Sequence, residues 1–368
     1  MKIICSQKQL STAVNIVQKA VSTKTTLPIL KGILLEAKNN KLKLVGNDLD
    51  IGIENYIETK IVQEGSIVIS SKIFGDIIRK LPDADIEIEV DDQNNVFIRC
   101  ENSDFKLVGQ SAVEFPELPY VKEENTYIIS QDLFKNMIRQ TIFATSQDET
   151  RPILTGSLIE IKNRNILMVA IDGYRLALRK AYLNIDIGNK AVVPSKTLNE
   201  VNRILGNETE GNIFISFTDK HILFTIDKTR IISRLLEGEF INYNQIIPKE
   251  YKSKVKVKTK ELLDSIERAS LLAKEGKNNA IKFSIKDDIM NVSSNVDIGS
   301  VNEEVNIELE GEDLDIGFNS KYLLDALKVI DSEEIFLEFT TSVSPCVIKP
   351  TDNENYIYLV LPVRLSKQ

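Results

Sequence analysis

Tryptophan is absent from this chain, histidine occurs once and cysteine three times. The single histidine, His221 in Thr218-Asp219-Lys220-His221-Ile222, reads as an exposed turn between two strands, and no Ser-His-Asp set assembles around it. Cys5, Cys100 and Cys346 are odd in number, far apart and set in strand-like runs, which excludes a disulfide framework and a cysteine metal site. There is no Walker loop, Rossmann glycine fingerprint or His-Glu-x-x-His helix, so no cofactor or metal is expected. The acidic pairs Asp91-Asp92, Glu123-Glu124 and Asp287-Asp288 read as solvated turns. No apolar run is long enough to span a bilayer, and Met1-Lys2-Ile3-Ile4-Cys5-Ser6 lacks the apolar core of a signal peptide. A cytoplasmic protein without membrane contact is therefore expected. With 10 Pro, 16 Gly and no low-complexity tract, disorder has no foothold. The net charge of -8 argues against coating nucleic acid by bulk attraction, so any DNA contact has to rest on localised positive charge.

What the chain does have is a repeat. Its 368 residues suit two or three domains, and three landmarks recur at a spacing close to 124 residues. One is Ser71-Lys72-Ile73-Phe74, Ser195-Lys196-Thr197-Leu198 and Ser320-Lys321-Tyr322-Leu323. Another is a strand and turn at 42–50, 166–174 and 289–297. The third is a leading helix at 6–21, 130–145 and 259–274, opening on Ser6, Ser130 and Thr259 as N-caps. Apolar residues at three- and four-residue steps (Leu10, Ala13, Val14, Val17) and at steps of two (Ile86, Ile88, Val90) give each unit two helices over antiparallel strands. The fold class is α+β in three repeated domains, 1–122, 123–249 and 250–368, divided near Phe115-Pro116-Glu117-Leu118-Pro119 and Ile246-Ile247-Pro248-Lys249. Asp172-Gly173 reads as a two-residue hairpin turn with both residues at positive φ.

Charge divides along the same lines. The helices expected at 6–22, 70–81, 130–145, 195–205, 259–275 and 319–330 sum to +6, leaving -14 for strands and loops. Any one of these helices carries the mixed charge of an ordinary solvated face, and the sign emerges in their sum. A basic helical face meeting phosphates positions DNA without reading its sequence.

Several stretches in order and spacing resemble the bacterial sliding-clamp family, the beta subunits of DNA polymerase III, over essentially the whole chain. They are Thr26-Leu27-Pro28-Ile29-Leu30, Arg151-Pro152-Ile153-Leu154-Thr155-Gly156, Asp172-Gly173-Tyr174-Arg175-Leu176, Gly317-Phe318-Asn319 and Leu361-Pro362-Val363-Arg364-Leu365. The resemblance implies a ring-shaped, head-to-tail homodimer without catalytic activity. It encircles double-stranded DNA and tethers the replicative polymerase, the clamp loader and repair proteins through a peptide pocket. Carried over by position, the pocket wall is Leu154, Ile171, Gly173, Tyr174, Arg175, Leu176, Ile241, Ile246, Asn319, Tyr322, Val343, Leu359, Val360, Leu361, Pro362, Val363, Arg364 and Leu365. On this reading an Arg175→Ala, Leu176→Ala double change removes peptide binding and leaves the dimer intact. DNA contacts are assigned to Lys24, Arg79, Arg151, Lys196, Arg203, Lys274 and Lys277, and the dimer contact to Phe105 and Leu107 against Leu271 and Leu272.

The chain departs from the family pattern at Pro152 and Ile153, where relatives carry aromatics, at Ile241 and Pro345, and in the tail Ser366-Lys367-Gln368. The alternative from another class is a triplicated α+β enzyme or small-ligand-binding protein with an unrecognised site.

Overall fold

Side chains that alternate between apolar and polar fix most of this backbone as half-buried strand. The computed structural model, which describes residues 1–22, 24–123, 126–184, 187–206 and 210–364, gathers those strands into antiparallel sheets. The chain forms two compact units, Met1–Phe134 with Asn199–Leu235, and Lys135–Leu198 with Leu236–Gln368.

In the first unit a five-stranded sheet runs in the order Lys60–Gln63, Lys2–Ser6, Asp85–Val90, Asn95–Cys100, Ser103–Val108. An eight-stranded sheet runs Thr126–Ser130, Asn212–Phe217, His221–Ile226, Thr229–Arg234, Ile51–Glu58, Lys41–Asn47, Gly32–Lys38, Gly65–Ser70. Its middle is a seam between repeats: Thr229–Arg234, late in the second repeat, pairs with Ile51–Glu58 of the first, setting Ile232 opposite Gly52 and Thr229 opposite Asn55. Asn55 Nδ2 donates to Thr229 Oγ1 at 2.9 Å inside that seam. Leu118 lies directly on Gly52, where a Cβ would come within 2.3 Å of the leucine Cδ2.

The second unit repeats the plan. A nine-stranded sheet runs Asn189–Pro194, Gly156–Lys162, Asn165–Ile171, Arg175–Tyr182, Tyr356–Val360, Cys346–Pro350, Glu334–Phe339, Ser253–Lys258, Glu308–Gly311. A four-stranded sheet runs Gly299–Asn306, Ile289–Val296, Ala280–Lys286, Leu314–Asn319. Here the seam pairs Tyr356–Val360, from the end of the third repeat, with Arg175–Tyr182 of the second. Because each seam carries a sheet across a repeat boundary, the two compact units do not coincide with the three sequence repeats. Among the described residues, Ser103–Val108 and Gly299–Asn306 each end a sheet, with a neighbour on one side alone.

The helices are α1 (Gln7–Val17), α2 (Ser71–Lys80), α3 (Gln131–Thr141), α4 (Ser195–Ile204), α5 (Thr259–Ala273) and α6 (Ser320–Leu327). In the first unit α1 lies against α2 and the strand Ile51–Glu58, and in the second α5 lies against α6 and the strand Ile289–Val296. Their buried stripes match the apolar spacing: Leu10, Ala13, Val14 and Val17 in α1; Leu262, Ile266, Ala269 and Ala273 in α5.

Local details differ from the sequence reading. Each helix is shorter than its apolar pattern, since α1 tightens into a 3-10 turn at Gln18–Ala20 and α3 into one at Ile142–Ala144. Ser6 makes no capping bond, and Thr259 is the first helical residue, its hydroxyl donating to the Ser332 carbonyl at 2.7 Å. Ser130 Oγ does accept from Leu133 N, at 3.4 Å. His221 opens a strand and is half-buried rather than exposed; burial first, then Arg234 and Lys220, hold its pKa below the ordinary histidine value. In the Asp172–Gly173 turn the glycine has φ +96 while Asp172 is not at positive φ. Asp172 N donates to Arg175 O at 3.3 Å, so the central pair is Gly173-Tyr174, with glycine first as in a II′ turn. All three cysteines are buried and free, and burial pushes the Cys5 thiol up to about 12.

Gly46, in the strand Lys41–Asn47, faces the end of α1, and a Cβ there would stand 2.1 Å from the Val17 carbonyl oxygen. Gly46→Ala is expected to cost about 2 kcal/mol by forcing helix and strand apart, read as a melting temperature lower by several degrees.

Candidate peptide-binding site

The most densely bonded side chain of the second unit is Arg175, the first residue of its seam strand. It is 8% exposed. Nε donates to Asp172 Oδ2 at 2.9 Å, Nη1 to Asp325 Oδ2 at 2.6 Å and Nη2 to the Phe143 carbonyl at 2.7 Å. The guanidinium also lies 4.4 Å from the centre of the Tyr322 ring and 5.5 Å from that of Phe143. Burial by itself would lower its pKa; Tyr358, Asp325 and Asp172 more than reverse that, so the charge is held firmly. A planar, forked cation satisfies two carboxylates and a carbonyl at once, which a lysine does not.

Asp172 uses its two oxygens for different tasks. Oδ1 accepts from the backbone N–H of Tyr174 at 2.8 Å and of Arg175 at 3.0 Å and so shapes the turn, while Oδ2 takes the guanidinium. The turn presents Tyr174, 60% exposed, with its ring stacked on Tyr322 at 6.3 Å. Tyr358 Oη donates to the Tyr322 carbonyl at 2.8 Å, and burial holds that phenol well above its ordinary pKa. Beyond the last strand the chain stays attached: Leu361 N donates to Tyr174 O at 2.8 Å and Val363 N to Gly317 O at 2.9 Å.

One face of the seam carries an apolar cluster, with Ile171, Leu176, Leu178, Val347 and Leu359 buried together with Phe240 and Tyr243 from the segment after the last strand of the second repeat. Ile153, Ile246 and Ile247 lie against it, half-buried. Tyr243 Oη donates to Glu160 at 2.7 Å; burial and that carboxylate push the phenol up to about 12.

The residues expected to wall a groove thus separate by accessibility. Leu154, Ile171, Arg175, Leu176, Leu359 and Val360 are buried and form its foundation. Ile246, Asn319, Tyr322, Pro362 and Val363 are half-buried, while Gly173, Tyr174, Ile241, Val343, Leu361 and Arg364 are exposed. Asn319 also caps α6, its Oδ1 accepting from Lys321 N. Leu365 and the tail Ser366-Lys367-Gln368 lie outside the described residues. Arg175 and Leu176 are both buried, so changing them together disturbs the core beneath the expected wall. Sequence reading missed Asp325 and Phe143. Asp325 follows Tyr322 by three residues, one helical step, and that spacing is the signal that could have found it.

Of the expected DNA contacts, Lys24, Arg79 and Arg203 are exposed in the first unit and Arg151, Lys196, Lys274 and Lys277 in the second. Arg79 donates to Asn15, Gln18 and Asp76, and Arg203 to Glu200 at 2.8 Å. Arg151 sits beside the pocket turn, its Nη1 3.5 Å from where a Cβ on Gly173 would stand. Phe105 and Leu271 are exposed, Leu107 and Leu272 half-buried; Phe105 and Leu107 lie on the edge strand Ser103–Val108, Leu271 and Leu272 in α5. Among the described residues, no three His, Cys, Asp or Glu side chains group as a metal site.

Family models for the DNA polymerase III beta subunit match the chain in three consecutive stretches: the N-terminal domain over 1–119, the central domain over 128–242 and the C-terminal domain over 244–364. The chain belongs to the DNA polymerase III beta subunit family. The beta sliding clamp of Bacillus subtilis strain 168 is 42% identical, over 99% of this chain and all of that protein. Among solved structures, the DNA polymerase sliding clamp of Bacillus subtilis superposes with a TM-score of 0.97 at 41% identity, with 100% of both chains covered. A putative DNA polymerase III beta subunit from Eubacterium rectale gives 0.96 at 41% identity, over 99% of this chain and all of its own.

Leu176→Ala in this beta-subunit fold is expected to cost about 2 to 4 kcal/mol as a cavity in the seam core. Calorimetric melting checks it; an unchanged transition would return Leu176 to the accessible wall.

Proposed function

We propose that this chain is a processivity factor of DNA replication, a homodimeric ring that encircles double-stranded DNA, slides on it without reading sequence and tethers the replicative polymerase. Membership over the full length supports the role, and the seams carry the assembly. In the first two repeats the strand after the landmark turn takes, as its neighbour, the last strand of the repeat that follows. The matching strand of the third repeat, Gly299–Asn306, ends its sheet, and so does Ser103–Val108, the last strand of the first repeat. Two unpaired edges of complementary kind on one chain call for a second copy joined head to tail, and two such joints close a ring. Phe105 and Leu107 on one edge and Leu271 and Leu272 beside the other supply the apolar contact.

The three domains are 1–122, 123–249 and 250–368. Around the hole, Lys24, Arg79, Arg151, Lys196, Arg203, Lys274 and Lys277 meet phosphates, which gives non-specific, salt-sensitive contact and leaves retention to topology. The groove over the second seam takes short apolar motifs of polymerase, clamp loader and repair proteins, with Tyr174, Ile241, Val343 and Leu361 as accessible wall over the buried Arg175 and Leu176. Micromolar affinity suits a few apolar anchors after the ordering cost of a flexible peptide. The protein acts in the cytoplasm and performs no catalysis of its own.

Negative-stain electron microscopy at micromolar concentration is expected to show closed rings with a central hole; compact particles without one would remove the clamp reading. Leu272→Asp is expected to give monomers in sedimentation, because an unpaired carboxylate is costly in an apolar joint. Tyr174→Ala with Leu361→Ala is expected to weaken a short polymerase C-terminal peptide about 10- to 100-fold while the dimer persists, with isothermal titration as the check. Wild-type affinity in that pair would end the pocket assignment.

A further inference from the structure

The first repeat contains a control for the turn beneath the peptide groove. Asp48 Oδ1 accepts from Asp50 N at 3.1 Å and Ile51 N at 2.9 Å, and Asp48 N donates to Ile51 O at 3.1 Å. These bonds match those of Asp172 with Tyr174 and Arg175, so the same turn closes with an apolar residue at the position of Arg175. Where the second repeat has Arg175, the first has Ile51, 1% exposed. A buried ion pair is commonly no more stabilising than apolar side chains of similar volume, and the first repeat folds the same turn with one. Stability therefore leaves the Arg175 arrangement unexplained.

Its effect is to tie the turn to α6. Asp325 takes Nη1 at 2.6 Å, and the guanidinium lies 4.4 Å from the centre of the Tyr322 ring, on which Tyr174 stacks. We propose that Asp325, through Arg175, is a positioning residue for the peptide site: it holds the Tyr174 rim and the Tyr322 ring in one arrangement before a partner arrives. A rim already ordered spares the complex that ordering cost. This inference rests on the reading of the seam groove as a peptide site.

The test uses the full-length dimer and a short C-terminal peptide of the replicative polymerase encoded in the same genome, titrated against Asp325→Ala and Asp325→Glu with melting followed in parallel. Asp325→Ala is expected to weaken the peptide about tenfold, or ~1.4 kcal/mol, with the dimer intact and a melting transition that falls by several degrees but stays cooperative. Asp325→Glu, which restores the carboxylate, is expected to recover most of the affinity. Wild-type affinity in Asp325→Ala overturns the proposal, as does a loss that tracks a collapse in melting and is not rescued by glutamate. Should Asp325→Ala fail to fold, the double change Arg175→Ile, Asp325→Leu removes both charges, the first change copying Ile51 of the first repeat; it is expected to fold and bind weakly, and full binding by it refutes the positioning role. If Tyr174→Ala with Leu361→Ala also binds normally, the peptide site itself is wrong. If that pair loses binding and Asp325→Ala does not, the site stands and the positioning role falls.

Discussion

Everything else in this structure depends on a backbone ladder between strands from different repeats. Ile51–Glu58 with Thr229–Arg234, and Arg175–Tyr182 with Tyr356–Val360, are the pairings that turn separate sheets into sheets of eight and nine strands. A lone repeat would leave both kinds of strand as open edges, with rows of unpaired N–H and C=O groups. The ladder satisfies those groups and sets side chains from two repeats face to face, which is how a half-buried surface becomes a core.

The proposed groove follows from that ladder. Leu176 stands opposite Leu359, and Leu359 opposite Val347, so one face of the second seam is a row of apolar side chains drawn from three strands. In the first seam the same row is Gly52, Ile232 and Leu223. There a glycine opens space that Leu118 fills, and Val121 is buried beside it. The second seam fills the glycine's place with Leu176 and leaves Tyr174, Ile241 and Leu361 accessible around it. The two seams share a backbone and differ in how the chain itself covers them.

Much of this was legible in the sequence and some was not, for physical reasons. Repeats and helix faces were readable because burial imposes periods that survive in any window of a dozen residues. The seams were not, since a strand of period two shows which face is buried and nothing about which strand lies beside it. Helix ends were overestimated because an apolar stripe runs on through a 3-10 turn, as at Gln18–Ala20. The resemblance puts Arg175 on the wall by position and carries no sign of its burial, because its partners Asp325 and Phe143 are 150 and 32 residues away in sequence. Arg151 is expected at DNA through the resemblance, while its guanidinium also borders Gly173.

The ladder at the seams has a consequence for sequence. Main-chain amides join whatever side chains they carry, provided proline stays out of the ladder and the alternation keeps its phase. Ile53 opposite Ile231 and Ala177 opposite Tyr358 fulfil the same duty with different residues. Three repeats of one plan can therefore differ in sequence, each with its own surface, while the joints between them still close.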